Sequence, residues 1–369
     1  MMLEKGKISA FQMGLLMYPA VLASGFLVLP TITGQYAQND LWLTCVPAIL
    51  VGLITVYTAT RLHELFPGQT IVQYSERILG KIPGKIIGLV YITYNLHASG
   101  GVTRQYAEFV TGNFLFKTPL LIVMGSLILL SAIAVRGGVE MLARSTVIFL
   151  PLFIFPVLFL LLLIPDLDAK AIFPILSHGI TPVMKGSFIM MGWLNELFLM
   201  TFFLPSLSNP AKGRKWGYIS MAVIVLFLTY SNLITLFLLG SGLQNKVYPL
   251  LIAFRYIELG SFLENLESLL LAMWVIGNFL QVGVFLYAAS LSLAHCFELS
   301  DYRPIVFPLA LLSLAIGIWD VPNFPVFGLL VRTAVPFHIL TTYLLIPLIL
   351  LIVAVLRKRK MTGNEVNKN

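Results

Sequence analysis

"MMGWLNELFLMTFFLP" occupies residues 190–205 and sets one carboxyl group, Glu196, among Met, Leu, Phe and Trp. Near the centre of a bilayer-crossing segment, an ionisable side chain costs roughly 2.5 kcal/mol or more. Such a group persists where it faces a partner or a cavity. Whether 190–205 crosses a membrane therefore decides both the fold and the place to look for a site.

Composition answers first. The chain has 369 residues, 58% hydrophobic and 11% charged, with a mean hydropathy of +0.91. Soluble domains carry about 25% charged residues. "LIVMGSLILLSAIAV" (121–135) and "LLIPLILLIVAVL" (344–356) belong to apolar runs near the ~20 residues needed to cross the hydrocarbon core. The pattern is that of an all-α polytopic membrane protein. The N-terminal run contains Pro19 and Pro30 and continues into a membrane pattern, so it reads as a retained span, not a cleaved leader. Cys45 and Cys296 lie in apolar surroundings, which suggests neither a disulfide framework nor a zinc site. The five His residues show no metal-ligand spacing. No metal and no cofactor is expected. The net charge of +8 does not point to nucleic acid, because Lys and Arg are scattered between spans with one cluster in the tail.

Ten spans are expected, at about 10–33, 41–62, 84–110, 118–136, 141–165, 184–204, 216–240, 266–293, 303–319 and 336–356. An even count puts both termini on one side. With the termini cytoplasmic, 17 Lys and Arg fall in inner segments and 6 in outer ones, Arg104 lying inside a span. The positive-inside rule then places both ends in the cytoplasm. Residues 1–356 form a single transmembrane domain, and 357–369 a polar, disordered basic tail. A short helix bounded by Pro67-Gly68 and Pro83-Gly84 is expected on the inner side. Amphipathic helix is expected within 248–268 on the outer side, where Glu258, Glu264 and Glu267, with Arg255, either dock a partner or form solvated faces.

Five plus five spans make two repeats, about 10–165 and 184–356, in which spans one and six correspond. Span one carries Ala23, Ser24 and Gly25 at mid-depth; span six carries Gly192, Asn195 and Glu196; both end at a proline. Matching interrupted segments point to the midplane site of an inverted-repeat transporter. Irregular backbone there is tolerated only against protein or a water-filled cavity. The alternative for Ala-Ser-Gly is close helix packing, and Glu196 has the alternative of a structural pair with another span.

Other polar residues inside spans extend the list. Asn95 and Ala98 lie in span three. Arg104 and Glu108 in the same span are spaced i, i+4, as an intrahelical ion pair or an outer gate. Trp274, Asn278 and Gln281 share one face of span eight, fitting interhelical hydrogen bonds or ligand contact. Trp193 and Trp274 offer an apolar wall for a small pocket.

Three stretches carry a family likeness: "FQMGLLMYPAVLASGFLVLP" (11–30), "YSERILGKIPGKIIGLVY" (74–91) and "YPLLIAFRYIELGSFLENLESLLLAMWVIGNF" (248–279). With the acid-containing span six closing at Pro205, they resemble the permease-like B subunit of spore germination receptors, a branch of the amino acid–polyamine–organocation superfamily. The resemblance implies a LeuT-like 5+5 inverted repeat with interrupted helices 1 and 6. It implies a receptor that binds a nutrient (amino acid, sugar or nucleoside) and triggers spore germination. Its partners would be a membrane subunit with a large soluble domain and a lipoprotein. The implied ligand site joins Ala23–Gly25 and Trp193–Glu196 with inward-facing residues of spans three and eight. Two positions depart from the family pattern: Asn195 stands where Gly often precedes the acid, and Ala-Ser-Gly where the first break is often Gly-x-Gly-like. The other reading is a secondary transporter for an amino acid or similar solute, coupled to H⁺ or Na⁺ through Glu196. No nucleophile–base pair, metal motif or phosphate loop suggests an enzyme.

Overall fold

The computed structural model describes residues 3–257, 266–320 and 323–366; Glu258 and Glu264 lie outside them. Each expected span falls on helical backbone. In chain order the helices are α1 (Ala10–Ala37), α2 (Cys45–Leu65), α3 (Ile71–Leu79), α4 (Lys81–Asn113), α5 (Leu120–Arg136), α6 (Val139–Phe159), α7 (Ile180–Asn195), α8 (Gly213–Leu239), α9 (Pro249–Tyr256), α10 (Glu267–Cys296), α11 (Val306–Trp319), α12 (Phe324–Arg332), α13 (Ala334–Leu340) and α14 (Ile346–Val366). Among the described residues, five helical segments are long and apolar enough to cross a bilayer, the first holding both α1 and α2. The protein is an integral, multi-pass membrane protein. Among the described residues the one extended pairing is an isolated parallel bridge between Ile8 and Leu207.

Three sequence expectations are revised. Pro83 lies in the first turn of α4 and does not bound α3; a first-turn residue has no intrahelical partner for its N–H, so proline is tolerated there. Helical backbone continues to Val366, where a disordered tail was expected; Arg, Lys and Met are good helix formers. Third, α1 is not interrupted at Ala23–Gly25 but runs unbroken from Ala10 to Ala37.

The Ala-Ser-Gly segment serves close packing. A Cβ on Gly25 would stand 2.9 Å from Trp193 Cδ1 of α7, and a Cβ on Gly277 of α10 would stand 3.0 Å from the Ala23 Cβ. Neighbours also bond to the helix's own carbonyls. Gln281 Nε2 donates to Ala20 O at 2.8 Å and Gln105 Nε2 to Ser24 O at 3.4 Å. Pro30 has no N–H for the Phe26 carbonyl, and Ser231 Oγ approaches that oxygen at 3.4 Å. Enclosed in this way, α1 stays helical.

The break in span six is present. The α-helix ends at Asn195 and tightens into a 3-10 helix over Glu196–Phe202, every residue of which is buried. Asn195 anchors the junction: its side chain accepts from Thr55 Oγ1 of α2 and reaches Ile339 O of α13 at 3.5 Å. A second irregular segment lies opposite. Between α13 and α14 the backbone widens into a π-helix over Thr341–Leu345 that packs on the 3-10 segment. Tyr91 of α4 donates to Thr342 O at 2.5 Å, and Tyr343 donates to Asn95 Oδ1 at 2.8 Å.

On the side expected to be cytoplasmic, the segment before α1 straps both halves together. Glu4 is buried, and its carboxylate accepts from Gly6 N (2.8 Å), Val139 N (3.1 Å) and Tyr302 OH (2.6 Å). Burial pushes the Tyr302 phenol up, which keeps it a donor to Glu4. Lys85 and Lys81 flank Glu298 and hold its carboxyl below the usual carboxylate range.

Helices α4 and α11 cross backbone to backbone. A Cβ on Gly100 would lie 2.5 Å from Ser313 O, whereas nothing stands within 4 Å of one on the adjacent Gly101. Main-chain atoms cannot yield as a flexible side chain can. Gly100→Ala is expected to destabilise by about 1–3 kcal/mol, the usual overpacking range, and Gly101→Ala to leave stability unchanged or slightly raised. Thermal melting of the two purified variants in detergent checks the contrast; equal melting temperatures would refute the crossing.

Candidate functional site

The tightening of α7 at Asn195 determines where the next side chain points. Glu196 is 5% exposed, and its Oε2 has no hydrogen-bond partner. It lies at the deep end of a cleft of about 880 Å³, walled by α4 on one side and by α12, α13 and the π segment on the other. Ser24, Gln105, Trp193, Glu196 and Phe285 form the deep end, and apolar residues such as Leu89, Val90, Leu330 and Val331 form the walls.

Ser24 is the hydrogen-bonding centre of that deep end. Its Oγ accepts from Trp193 Nε1 at 3.2 Å and from Gln281 Nε2 at 2.9 Å. Three helices, α1, α7 and α10, are therefore joined through one hydroxyl. Gln281 also lies within hydrogen-bonding reach of the Glu196 carboxyl, and its own Oε1 is buried without a partner. Below the carboxyl, Tyr91, Tyr94, Phe198, Phe202 and Tyr343 form a ring cluster with centroids 4.9–6.5 Å apart, which closes the cleft on that side. Further along the cleft His97 Nδ1 sits 2.5 Å from Asp320 Oδ2, joining α4 to the end of α11.

Of the residues singled out in the sequence, Ser24, Ala98, Trp193 and Glu196 line the cleft. Ala23 and Gly25 face α10 and Trp193 as packing surfaces. Asn95 bonds Tyr91 O (2.7 Å) and Tyr343, and Asn195 bonds Thr55 and Ile339. Asn278 donates to its own helix at Trp274 O, with Oδ1 unpartnered, and Trp274 packs on Phe109. Gln281 supports the lining from behind. Arg104 and Glu108 form the intrahelical pair, with Nη2–Oε1 2.7 Å, and neither lines the cleft. Sequence reasoning missed Tyr94, His97, Gln105, Phe285, Asp320 and His338. The residues Tyr94, His97, Ala98, Gly101 and Gln105 of span three follow a helical spacing of three to four, and that face, polar or small throughout, was the available signal.

Comparison with known proteins places this geometry in a context. A family model described as "Spore germination protein" matches residues 7–325. Spore germination protein KB of Bacillus subtilis (strain 168) is 28% identical over 376 residues, covering 99% of this chain and 100% of that protein. Spore germination protein A2 of the same organism is 25% identical, covering 81% and 83%. Spore germination protein XB of Bacillus anthracis is 20% identical, covering 76% and 79%. Among solved structures, Mhp1, a nucleobase-cation-symport-1 family transporter in a closed conformation with bromovinylhydantoin bound, superposes with a TM-score of 0.68 at 12% identity. It covers 91% of this chain and 76% of its own. MhsT in complex with L-phenylalanine gives 0.64 at 14% identity, covering 94% and 97%. The fold is that of LeuT-like transporters.

The Ser24 knot makes a direct prediction. Ser24→Ala leaves Trp193 Nε1 without an acceptor and Gln281 Nε2 with Ala20 O alone, at a cost of about 1–3 kcal/mol for the orphaned indole N–H. The variant is expected to melt at a lower temperature than wild type, with Trp193 emission shifted as its indole loses its partner. Unchanged melting and emission would mean that the hydroxyl does not hold the three helices.

Proposed function

Because the chain belongs to the spore germination protein family, whose model covers most of its length, we propose that it is the permease-like subunit of a nutrient germinant receptor. A small nutrient of the amino acid, sugar or nucleoside class binds in the cleft between α4 and α12–α14. The observation that carries this reading is Glu196: a buried carboxyl, one oxygen of which has no hydrogen-bond partner, on the lining of a cleft large enough for a small molecule. Buried polar atoms normally have partners, and a ligand would supply one.

A ligand shifts a conformational equilibrium only through differential affinity for its states. In this reading, contact with Glu196 and with the walls favours a closed cleft, and the movement passes along the π and 3-10 segments. The partners that read it are a membrane subunit with a large soluble domain and a lipoprotein. Both termini lie in the cytoplasm, in accord with the 17 inner Lys and Arg, in the spore inner membrane or the cell membrane. Family and fold are those of germination proteins and transporters, not of enzymes.

A second reading rests on the likeness to Mhp1 and MhsT: a secondary transporter for a small solute, coupled to H⁺ or Na⁺ through Glu196. Accumulation of labelled solute in proteoliposomes, abolished by dissipating the ion gradient, would favour it.

The test of the receptor reading is nutrient-triggered loss of spore optical density with Glu196→Gln in place of the native residue. A panel of amino acids, sugars and nucleosides is used, and immunoblotting confirms the protein level. The variant is expected to need at least tenfold more of one nutrient class, or to lose that response. A normal response with the protein present would remove Glu196 from sensing.

A further inference from the structure

We propose that the cleft opens sideways into the bilayer between α4 and α13, and that this slot holds one acyl chain of an anionic phospholipid from the inner leaflet. The inference concerns the mouth of the cleft and does not depend on the deep end taking a nutrient.

The rim of the slot is the first observation. Ile86, Leu89, Val90, Thr93 and His97 line the cleft from α4. They recur at i, i+3, i+4, i+7 and i+11, which is one stripe of a helix. Ile86 is 57% exposed, and Thr93 and His97 are exposed with it. Ile82, a turn earlier on the same stripe, is 76% exposed and lies outside the cleft. The rim therefore continues the outer surface of a membrane-spanning helix, where the surroundings are hydrocarbon. On the opposite side, His338 of α13 and Thr341 of the π segment are exposed lining residues too.

The second observation is the size and floor of the slot. Helix α4 meets the last span chiefly at the π segment, through the bonds of Tyr91 to Thr342 O and of Tyr343 to Asn95. Those groups are buried, and the stripe from Ile86 to His97 lies outside them. Eleven residues of helix make the stripe about 16 Å long. One leaflet contributes about 15 Å of hydrocarbon, half of the bilayer core. An acyl chain laid along the stripe gives up lipid neighbours and gains dispersion contacts with two protein walls.

Charge at the inner end supplies the third argument. Just below Ile86 come Lys85 and Lys81, which share the single carboxylate of Glu298. Arg357 of α14 donates to Ile78 O, a neutral acceptor at the entry to α4. Among the described residues of this corner, Arg77, Lys81, Lys85 and Arg357 stand against Glu76 and Glu298. The corner keeps a positive excess, and basic pockets on the cytoplasmic side of membrane helices suit anionic headgroups. A chain seated in the slot holds α4 and α13 apart, so closing the cleft expels it. The lipid thereby favours the open form.

The test uses the full chain in nanodiscs containing a phospholipid with a diazirine midway along one acyl chain. After irradiation, peptide mass spectrometry locates the labelled residues. Phosphatidylglycerol and phosphatidylcholine with the same chains are compared. Ala98 and the buried Ile339 line the cleft, and phosphatidylglycerol is expected to label them at least threefold more than phosphatidylcholine. Leu129 of α5, exposed outside the cleft, is expected to be labelled equally by both. Thr93→Trp puts a ring in the mouth of the slot, and it should cut the labelling of Ile339 while leaving that of Leu129. The wild-type comparison stands even if that variant fails to fold. Labelling confined to outer surfaces such as Leu129 overturns the inference, as does equal labelling of Ile339 by the two lipids. The spore assay with Glu196→Gln tests the nutrient site separately.

Discussion

A carboxyl group placed among apolar helices must find a donor or face a cavity, and much of this structure follows from how Glu196 meets that constraint. The α-helix before it ends one residue earlier, at Asn195, and the chain tightens into a 3-10 helix that begins with the acid. Tightening changes the direction in which successive side chains leave the axis. Glu196 thereby lies on the cleft lining, while Asn195 fixes the junction to α2 and α13. The two adjacent polar residues divide the work: Asn195 holds the irregular backbone in place, and Glu196 uses the direction it creates.

The same junction explains why α1 need not unwind. In a fold with two corresponding spans, an irregular backbone in both would expose main-chain groups from each side of the site. Here span six and the π segment of the last span supply the irregularity, and α1 supplies a smooth surface. Gly25 admits the Trp193 ring, Ala23 meets Gly277, and Ser24 gathers two donors. A single hydroxyl between an indole and an amide holds three helices in register around the cleft. The fold is common to solute transporters, but the chemistry at its centre depends on these local choices.

Legibility from sequence divided along physical lines. The spans were readable because bilayer thickness fixes the length of an apolar run, whatever the tertiary packing. Glu196 was readable because a charge in such a run has few explanations, and Arg104–Glu108 because i, i+4 partners meet on any helix. The state of α1 was not. "ASG" is compatible with an unwound turn and with a close-packing strip, and only the positions of Trp193 and Gly277 against it decide. The π segment at Thr341–Leu345 was hidden for a similar reason: nothing in "TTYLL" demands it, and Tyr91 and Asn95, some 250 positions away in sequence, bond to its residues.

The wall of the cleft made by α12 and the last span was the largest omission. Attention to paired interruptions leads to spans one and six, and polar stripes lead to span eight. The long walls of the cleft are made by α4, the third span that the sequence reading already includes, and by α12 and the last span, which it does not, and their lining is mainly Leu, Val, Ile and Ala with isolated His and Thr. An apolar wall leaves no polar signature in sequence, because the same residues would suit lipid contact. It becomes a cavity wall only when a second helix stands opposite without filling the gap. Pro325 lies at the start of α12, Pro336 in the first turn of α13, and the π widening follows at Thr341–Leu345. The polar residues found by sequence pattern therefore mark the foundations of the site, and its volume is set by backbone irregularities that the pattern does not encode.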